Sequence, residues 1–429
     1  MVNTSWSYDR VFTLKKLLHM QVAILAIGTE LLIGQTINTN AAWMGEKLTS
    51  LGITITESLA IADDKDLIIS SIERLSEGVD YIFITGGLGP TKDDITKSAI
   101  ASYLGVEMYF DEPTYNKIVD YFTAMNLSLS HLHKEQCYFP VGTKLLTNTM
   151  GTAPGMLFET KNCNIISMPG VPYEMQSIFT ESVTPLLAKD GRRIPYHQQT
   201  IRTVGIAESK LADIIEPIID TMPDNLDVAY LPSLGSVKVR LSGRGLDAKI
   251  KVEQFIPELV VALKPYVYGF NDLTIAEAVQ NEMIEQGLTL GTAESCTGGY
   301  IGHLITSIPG SSKYYQGGVL AYSNSIKQNQ LKVKEQTLLD HGAVSEETVR
   351  EMVIGCVELL DVDVAIAVSG IAGPGGGTEA KPVGTIWIAV GNAEMQLVKK
   401  FNLKKNRLIN IRYSSNAALI MLRKFLMAE

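Results

Sequence analysis

The sequence predicts an α/β protein in three parts. They are an N-terminal, mainly parallel three-layer α/β domain over residues 20–185, a small α+β domain over 186–270, and a second α/β domain over 271–429. Three observations predict this. Short apolar runs alternate with helix-spaced segments through the first 185 residues, the rhythm of a parallel sheet covered by helices on both faces. Residues 186–270 break that rhythm with a hairpin pattern. Beyond Asn271 the apolar runs return and again end in glycine-rich turns that open helices.

Residues 1–19 are read as an N-terminal extension. Lys15 and Lys16 ahead of Val22–Ile27 resemble the start of a signal peptide, but the run is short, Glu30 follows closely and GTELL is a poor cleavage region. Val22–Ile27 is therefore a buried first strand, with Met20 directly before it. Gly28-Thr29-Glu30 follows, then a helix continuing through Asn40–Leu51, a strand over Ile53–Ala62, and a helix near Lys65 that Asp63 and Asp64 can cap. Tyr81–Thr85 is a strand that breaks into Gly86-Gly87-Leu88-Gly89-Pro90-Thr91, with Asp93 and Asp94 opening a helix through Tyr103.

Two further loops belong with that one: NTMGTAPG, carrying Gly151 and Thr152, and IISMPGVP, carrying Gly170. Glycine makes turns for many reasons. Three such loops after strands of a parallel sheet nevertheless make a mouth rich in exposed amides, suited to phosphate. Asp93 and Asp94 could hold a hard divalent ion there, or could simply complement a helix dipole. Glu30 and Asn40 are candidate rim residues. His131 and His133 would share a face if they lay in a strand, but lacking a third ligand they read as structural or surface groups.

In the middle segment, Ile194–Val204 is strand-like, Glu208–Ile219 helical, Val228–Leu231 and Val237–Ser242 a hairpin, and Asp247–Leu263 a helix leading to Tyr266–Tyr268. It has no catalytic cluster and no basic GxxG loop. The last segment contains LTLGTAESCTGGYIGHLITSIPGSSKYYQGGVLAYSNSIK. A strand ending at Glu294 runs through Ser295, Cys296, Thr297, Gly298 and Gly299 into a helix, placing Ser295 near amides that could stabilise an oxyanion. Tyr322 and Lys327 follow a second strand, and a buried lysine of depressed pKa can activate a serine. Against this stand plainer roles: Ser295 as a helix cap, Cys296 as the stronger nucleophile, Tyr322 as a core aromatic and Lys327 as a solvated lysine. A helix over Glu346–Leu360 with Ser345 as its cap, strands over Val362–Ser369, Thr385–Val390 and Leu397–Leu403, and a closing helix over Ile409–Met427 complete the domain. Gly370–Gly377 forms a glycine-rich loop, and Arg412 falls on the first turn of the closing helix.

Composition narrows the function classes. The chain has 429 residues, 46% hydrophobic and 19% charged, the balance of an ordinary globular protein. A net charge of -9 argues against non-specific binding to nucleic acid or an anionic membrane. Four separated cysteines without a CxxC pair argue against a disulfide framework or zinc site and suit a reducing, cytoplasmic location. No apolar run approaches the ~20 residues of a membrane span.

Together GTELLIGQTINTNAAW, TGGLGPTKDD, NTMGTAPG and MPGVPYEM resemble the N-terminal domain of the CinA (competence/damage-inducible) family, which is similar to molybdopterin-binding folds. AESCTGG, GSSKYYQGGVLAYSN, HGAVSEE, SGIAGPGGG and KPVGT resemble its C-terminal domain, similar to nicotinamide mononucleotide deamidases. The resemblance spans residues 20–429 and implies a KH-like middle domain. One departure is Gly375, where many members carry aspartate. The resemblance implies an amidohydrolase releasing ammonia from nicotinamide mononucleotide, with Ser295 as nucleophile, Tyr322 and Lys327 as its partners, and no cofactor. It also implies an N-terminal domain cleaving ADP-ribose with a divalent metal at Asp93 and Asp94, and a homodimer. Substrate contacts would fall on Gly86, Gly87, Gly89, Thr91, Gly151, Thr152 and Gly170 in the first domain. In the last domain they would fall on Thr297, Gly298, Gly299, Gly370, Gly373 and Arg412. Two other classes remain open: a molybdopterin-binding or cofactor-insertion protein, and a competence-associated interaction protein without turnover.

Overall fold

The computed structural model describes residues 19–89, 91 and 94–427 and divides into two compact units. One runs to His197 and takes in Gly243–Lys249; the other holds Gln198–Ser242 and Ile250 onward. Residues 1–18 of the extension lie outside the described residues, as does Asp93.

The first unit contains β1 (Gln21–Ile27), β2 (Thr54–Ile61), β3 (Tyr81–Thr85), β4 (Met108–Phe110), β5 (Tyr138–Pro140), β6 (Lys144–Leu146), β7 (Gly155–Glu159) and β8 (Asn164–Met168). Six of these form one sheet in the order β2-β1-β3-β8-β7-β6. β1 is parallel to β2 and β3, and β3 to β8, whereas β7 runs antiparallel to β8 and β6 to β7. Alternate residues of β1 feed two cores. Ala23, Leu25 and Ile27 pack with Ile68 and Ile72, and Val22 and Ile24 with Met44 and Leu48. That is the burial of a central strand covered on both faces. Parallel pairing brings the loops after β1, β3 and β8 to one edge. Gly86 is required there: its φ is 106°, and a Cβ would lie 2.1 Å from the Ile27 carbonyl oxygen.

The first long helix differs from expectation. A short helical turn (Thr29–Leu32) is followed by a separate helix over Thr39–Ser50, because Gly34 takes a left-handed φ and the Asn38 side chain caps the second helix at the Ala41 N–H. His131–Glu135 is helical. His133 accepts from the Ser130 N–H and its ring stands 4.3 Å from that of Phe122, a structural role.

The second unit carries two sheets. β9 (Tyr196–Val204), β10 (Leu226–Ser233), β11 (Ser236–Arg244) and β12 (Val267–Phe270) form a four-stranded sheet in the order β10-β11-β9-β12. Leu211, Ile215, Val252 and Leu259 of the helices Glu208–Ile219 and Ala248–Ala262 share a core with Val239 and Leu241. The other sheet holds β13 (Leu290–Glu294), β14 (Tyr315–Leu320), β15 (Val364–Gly370), β16 (Thr385–Gly391) and β17 (Gln396–Asn402), ordered β14-β13-β15-β16-β17. β13 is parallel to both neighbours, while β15, β16 and β17 pair antiparallel. On one face, Val279, Met283, Leu419 and Leu422 of the helices Ile275–Gln286 and Arg407–Leu426 meet Ile366 and Ile388. On the other, Val349, Met352 and Val353 of the Glu346–Leu360 helix meet Ala293, Ala365 and Ala367. Among the described residues no helix is long and apolar enough to cross a membrane.

Candidate functional site

In the second unit, β13 delivers Ser295 just beyond its carboxyl end, between two parallel neighbours, where such sheets place ligands. The Ser295 N–H donates to the Val368 carbonyl at 3.0 Å, carrying the ladder one residue past the strand. Lys327 comes from a short helix (Asn324–Asn329) capped by Ser323, and its side chain is 1% exposed. Its Nζ lies 3.0 Å from Ser295 Oγ and donates to the Ala321 carbonyl at 2.7 Å. Burial pushes its pKa down to about 8, so the ammonium beside the serine hydroxyl gives way to a neutral amine as pH rises through that value.

The rival thiol is set aside by the same burial. Cys296 sits in the apolar core, 6% exposed, and desolvation pushes it up to about 12, so it is a thiol rather than a thiolate. The helix amides expected to face an oxyanion are already engaged. The buried Glu294 carboxylate accepts from the N–H groups of Gly299, Ile301 and Gly302, at 3.0, 3.1 and 2.9 Å. The Gly298 N–H turns back onto the Ser295 carbonyl. Among the described residues the Thr297 N–H has no acceptor, and its buried hydroxyl has no partner. Any oxyanion donors therefore come from the turn at Cys296 and Thr297, upstream of the helix.

Two side chains lie elsewhere than the sequence led us to expect. Tyr322 is 66% exposed, and its hydroxyl accepts from Arg407 at 3.3 Å instead of bonding to Lys327 or Ser295. The closing helix begins at Arg407, with Asn406 capping the Ile409 N–H, so Arg412 falls in its second turn, exposed and without a polar partner among the described residues. Arg407 takes the position expected of Arg412: it also donates to the Gly373 carbonyl at 2.7 Å, joining Tyr322 to the Gly370–Gly377 loop. Had Asn406 been read as the cap, Arg407 would have been found. Gly370 ends β15, where a Cβ would meet Ile386 at 2.6 Å.

In the first unit, Gly86, Gly87, Gly89, Thr152 and Gly170 line a cavity of about 450 Å³. Asn40 is buried and donates to Thr85 Oγ1 and the Gly170 carbonyl, tying two of the loops together. Glu30, Asp63, Asp94 and Glu174 also line the cavity, with no cationic side chain among its described lining residues. Asp94 precedes its helix (Thr96–Leu104) instead of opening it. It clamps the glycine loop, accepting from the N–H groups of Gly89 and Thr91, each at 2.8 Å, and from the Thr91 hydroxyl. Glu174 accepts from Asn148, and Gly151 packs so closely that a Cβ would lie 2.3 Å from its carboxyl carbon. Asp63 accepts from Thr29, while Asp64 alone caps the following helix. The donor set is carboxylate oxygen, the type a hard divalent ion takes. Among the described residues, however, no three such groups converge as a ready cage.

The fold and these two sites define a multidomain α/β protein. One unit presents a glycine-loop cleft, and the other presents a buried serine–lysine pair. Three family models match it: the probable molybdopterin binding domain over residues 23–189, the damage-inducible protein CinA KH domain over 198–269, and the CinA C-terminal domain over 272–426. The CinA-like protein of Cytophaga hutchinsonii is 38% identical over 409 residues, covering 95% of this chain and 98% of that one. That of Chloroherpeton thalassium is 38% identical over 422 residues, covering 96% and 100%. Among solved structures, competence/damage inducible protein CihA from Agrobacterium tumefaciens is 36% identical, covering 35% of this chain and 92% of its own, with a TM-score of 0.34. The chain belongs to the CinA family.

Proposed function

We propose that the C-terminal site hydrolyses the carboxamide of nicotinamide mononucleotide, releasing ammonia and nicotinate mononucleotide. The observation that carries this reading is the buried 3.0 Å contact between Ser295 Oγ and a lysine pushed down to about 8. Neutral Lys327 takes the Ser295 proton as Oγ attacks the amide carbon, and the turn amides of Cys296 and Thr297 hold the oxyanion. The Lys327 ammonium then returns the proton to the leaving nitrogen, which departs as ammonia. Water, deprotonated by the same lysine, hydrolyses the ester and regenerates Ser295. The Ala321 carbonyl orients Nζ throughout. Arg407, at the rim beside Gly373, supplies a charged fork for the ribose phosphate.

The N-terminal cleft, in the same proposal, cleaves the pyrophosphate of ADP-ribose. Glycine-loop amides favour phosphate oxygens, and the four carboxylates would repel them unless a divalent cation lay between. Glu30, Asp63, Asp94 and Glu174 line the cleft, and carboxylates among them would hold such an ion, which would neutralise charge on the pyrophosphate.

The test is ammonia release from nicotinamide mononucleotide by wild type, Ser295→Ala and Cys296→Ala. Loss in the first variant with retention in the second supports the serine mechanism; retention in Ser295→Ala ends it. Chelation by EDTA is expected to stop ADP-ribose cleavage while sparing ammonia release. Cleavage that survives chelation removes the metal from the reading.

A further inference from the structure

β17 is the edge strand of its sheet, and its side chains alternate between two faces. Leu397, Lys399 and Phe401 share one face, while Lys400 turns to the other, over the Trp387 ring. Facing the first set, Tyr413, Ala417, Ile420 and Lys424 recur at helical spacing along the closing helix. Leu234 and Gly235, in the turn between β10 and β11, close a third side. Gly235 takes a φ of 77°, and a Cβ there would lie 3.6 Å from Tyr413 Cε2. Together these elements enclose a cavity of about 280 Å³.

Its floor is apolar: Leu234, Ala417, Ile420 and Met421, with the Phe401 and Tyr413 rings meeting edge to face at 6.2 Å. Its charge is of one sign. Lys399 and Lys424 line it, the other polar side chains, Tyr413 and Asn416, are neutral, and no carboxylate stands among its described lining residues. The Lys399 ammonium lies 5.2 Å from the centre of the Phe401 ring, and Lys424 Nζ would lie 3.8 Å from a Cβ at Gly205, so both charges sit at the wall itself. Neither lysine has an ion-pair partner among the described residues. Lysine stems do cover apolar surface on their own. That explains either residue singly, but not an open cavity walled by both. The cavity next to it, about 470 Å³, carries Arg202 and Glu277 together and has no such bias of sign.

We propose that the cavity between β17 and the closing helix binds a small organic acid with a compact hydrocarbon body. The body lies on the Phe401, Tyr413 and Ile420 floor, and the carboxylate lies between Lys399 and Lys424. The volume falls just under the range of about 300 Å³ and more that takes drug-sized ligands, so the acid is smaller than those. This site is separate from Ser295 and does not depend on the amide-hydrolysis reading.

The experiment is calorimetric titration of the full chain with 2-naphthoate and with its neutral counterpart, 2-naphthalenemethanol, using wild type, the double variant Lys399→Gln/Lys424→Gln, Leu234→Ala and Arg407→Ala. Both lysines are exposed, so the double variant is expected to fold. Wild type should bind the acid about tenfold or more tightly than the alcohol, the weight of a charged hydrogen bond, and the double variant should bind the two alike. Alcohol binding should be the same in wild type and the double variant, and Leu234→Ala should weaken both ligands. Acid binding that is unchanged in the double variant overturns the proposal, as does absence of acid binding to folded wild type at millimolar concentration. Binding lost in Arg407→Ala and kept in the double variant places the acid at the serine site and overturns it too. Acid binding that disappears wherever sedimentation shows the chain paired puts a second copy in the cavity instead of an acid.

Discussion

Among the described residues each unit buries one lysine, and burial pushes both down to about 8. Their surroundings are otherwise unlike. Lys97, in the first unit, donates to the Gln136 carbonyl at 2.8 Å and sits 5.2 Å from the centre of the Phe139 ring. Lys327, in the second, also spends one bond on a carbonyl, but another faces Ser295 Oγ. The same depression therefore accompanies a structural lysine in one place and a candidate base in the other. What separates them is a nucleophile within hydrogen-bond reach. A perturbed pKa marks a site only when geometry gives the proton somewhere useful to go.

Five experiments sharpen or break that contrast. The largest effect is expected at the nucleophile: Ser295→Ala should lower kcat for amide hydrolysis by about three orders of magnitude or more. Next is the base. Lys327→Met should cost about 10²–10⁴ in kcat, whereas Lys97→Met should leave ammonia release unchanged, and equal losses in the two would dissolve the distinction. With pH, wild-type activity should climb through about 8 as Lys327 loses its proton.

Stability tests the feature the lysines share. Each is depressed from 10.5 to about 8, so the folded chain binds fewer protons than the unfolded chain between those values. Each burial thus costs stability below pH 8, and the cost fades as pH rises towards 10.5. Chemical denaturation of wild type and each methionine variant should show this as a difference on the order of 3 kcal/mol per lysine across the window. A pH-independent difference would mean the lysines are not depressed. The smallest effect separates two arginines: Arg407→Ala should raise KM for nicotinamide mononucleotide about tenfold, the weight of a charged hydrogen bond, and Arg412→Ala should not. The reverse order would restore Arg412.

Much of the fold was legible because the strands declare themselves. Tyr81–Thr85 and Glu346–Leu360 fall where apolar pattern and a serine cap placed them, since a central strand and a capped amphipathic helix leave strong local signals. The misplacements have local causes too. The turn at Gly34 splits a helix that periodicity alone would continue. Asn406 opens the last helix on polar residues, ahead of its apolar stripe, so the first turn carries Arg407 and the second Arg412. The site was half legible. Motif spacing pointed to Ser295 and Lys327, but nothing in it could show that Tyr322 turns outward to Arg407, or that Asp94 spends its oxygens on the glycine loop. The partner of Tyr322 lies 85 residues away, which no local window contains; those of Asp94 lie within five residues, but a local pattern does not say which donors a carboxylate takes.

Glu294 joins the strand that leads to Ser295 to the helix behind it through three amides. β13 and the turn that bears Ser295 are therefore expected to open to solvent exchange together. A fluctuation that unlatches this carboxylate would free the Ser295 turn and the carboxyl end of β13 in the same moment, so the residence time of the assembled turn is expected to follow the lifetime of that strand end.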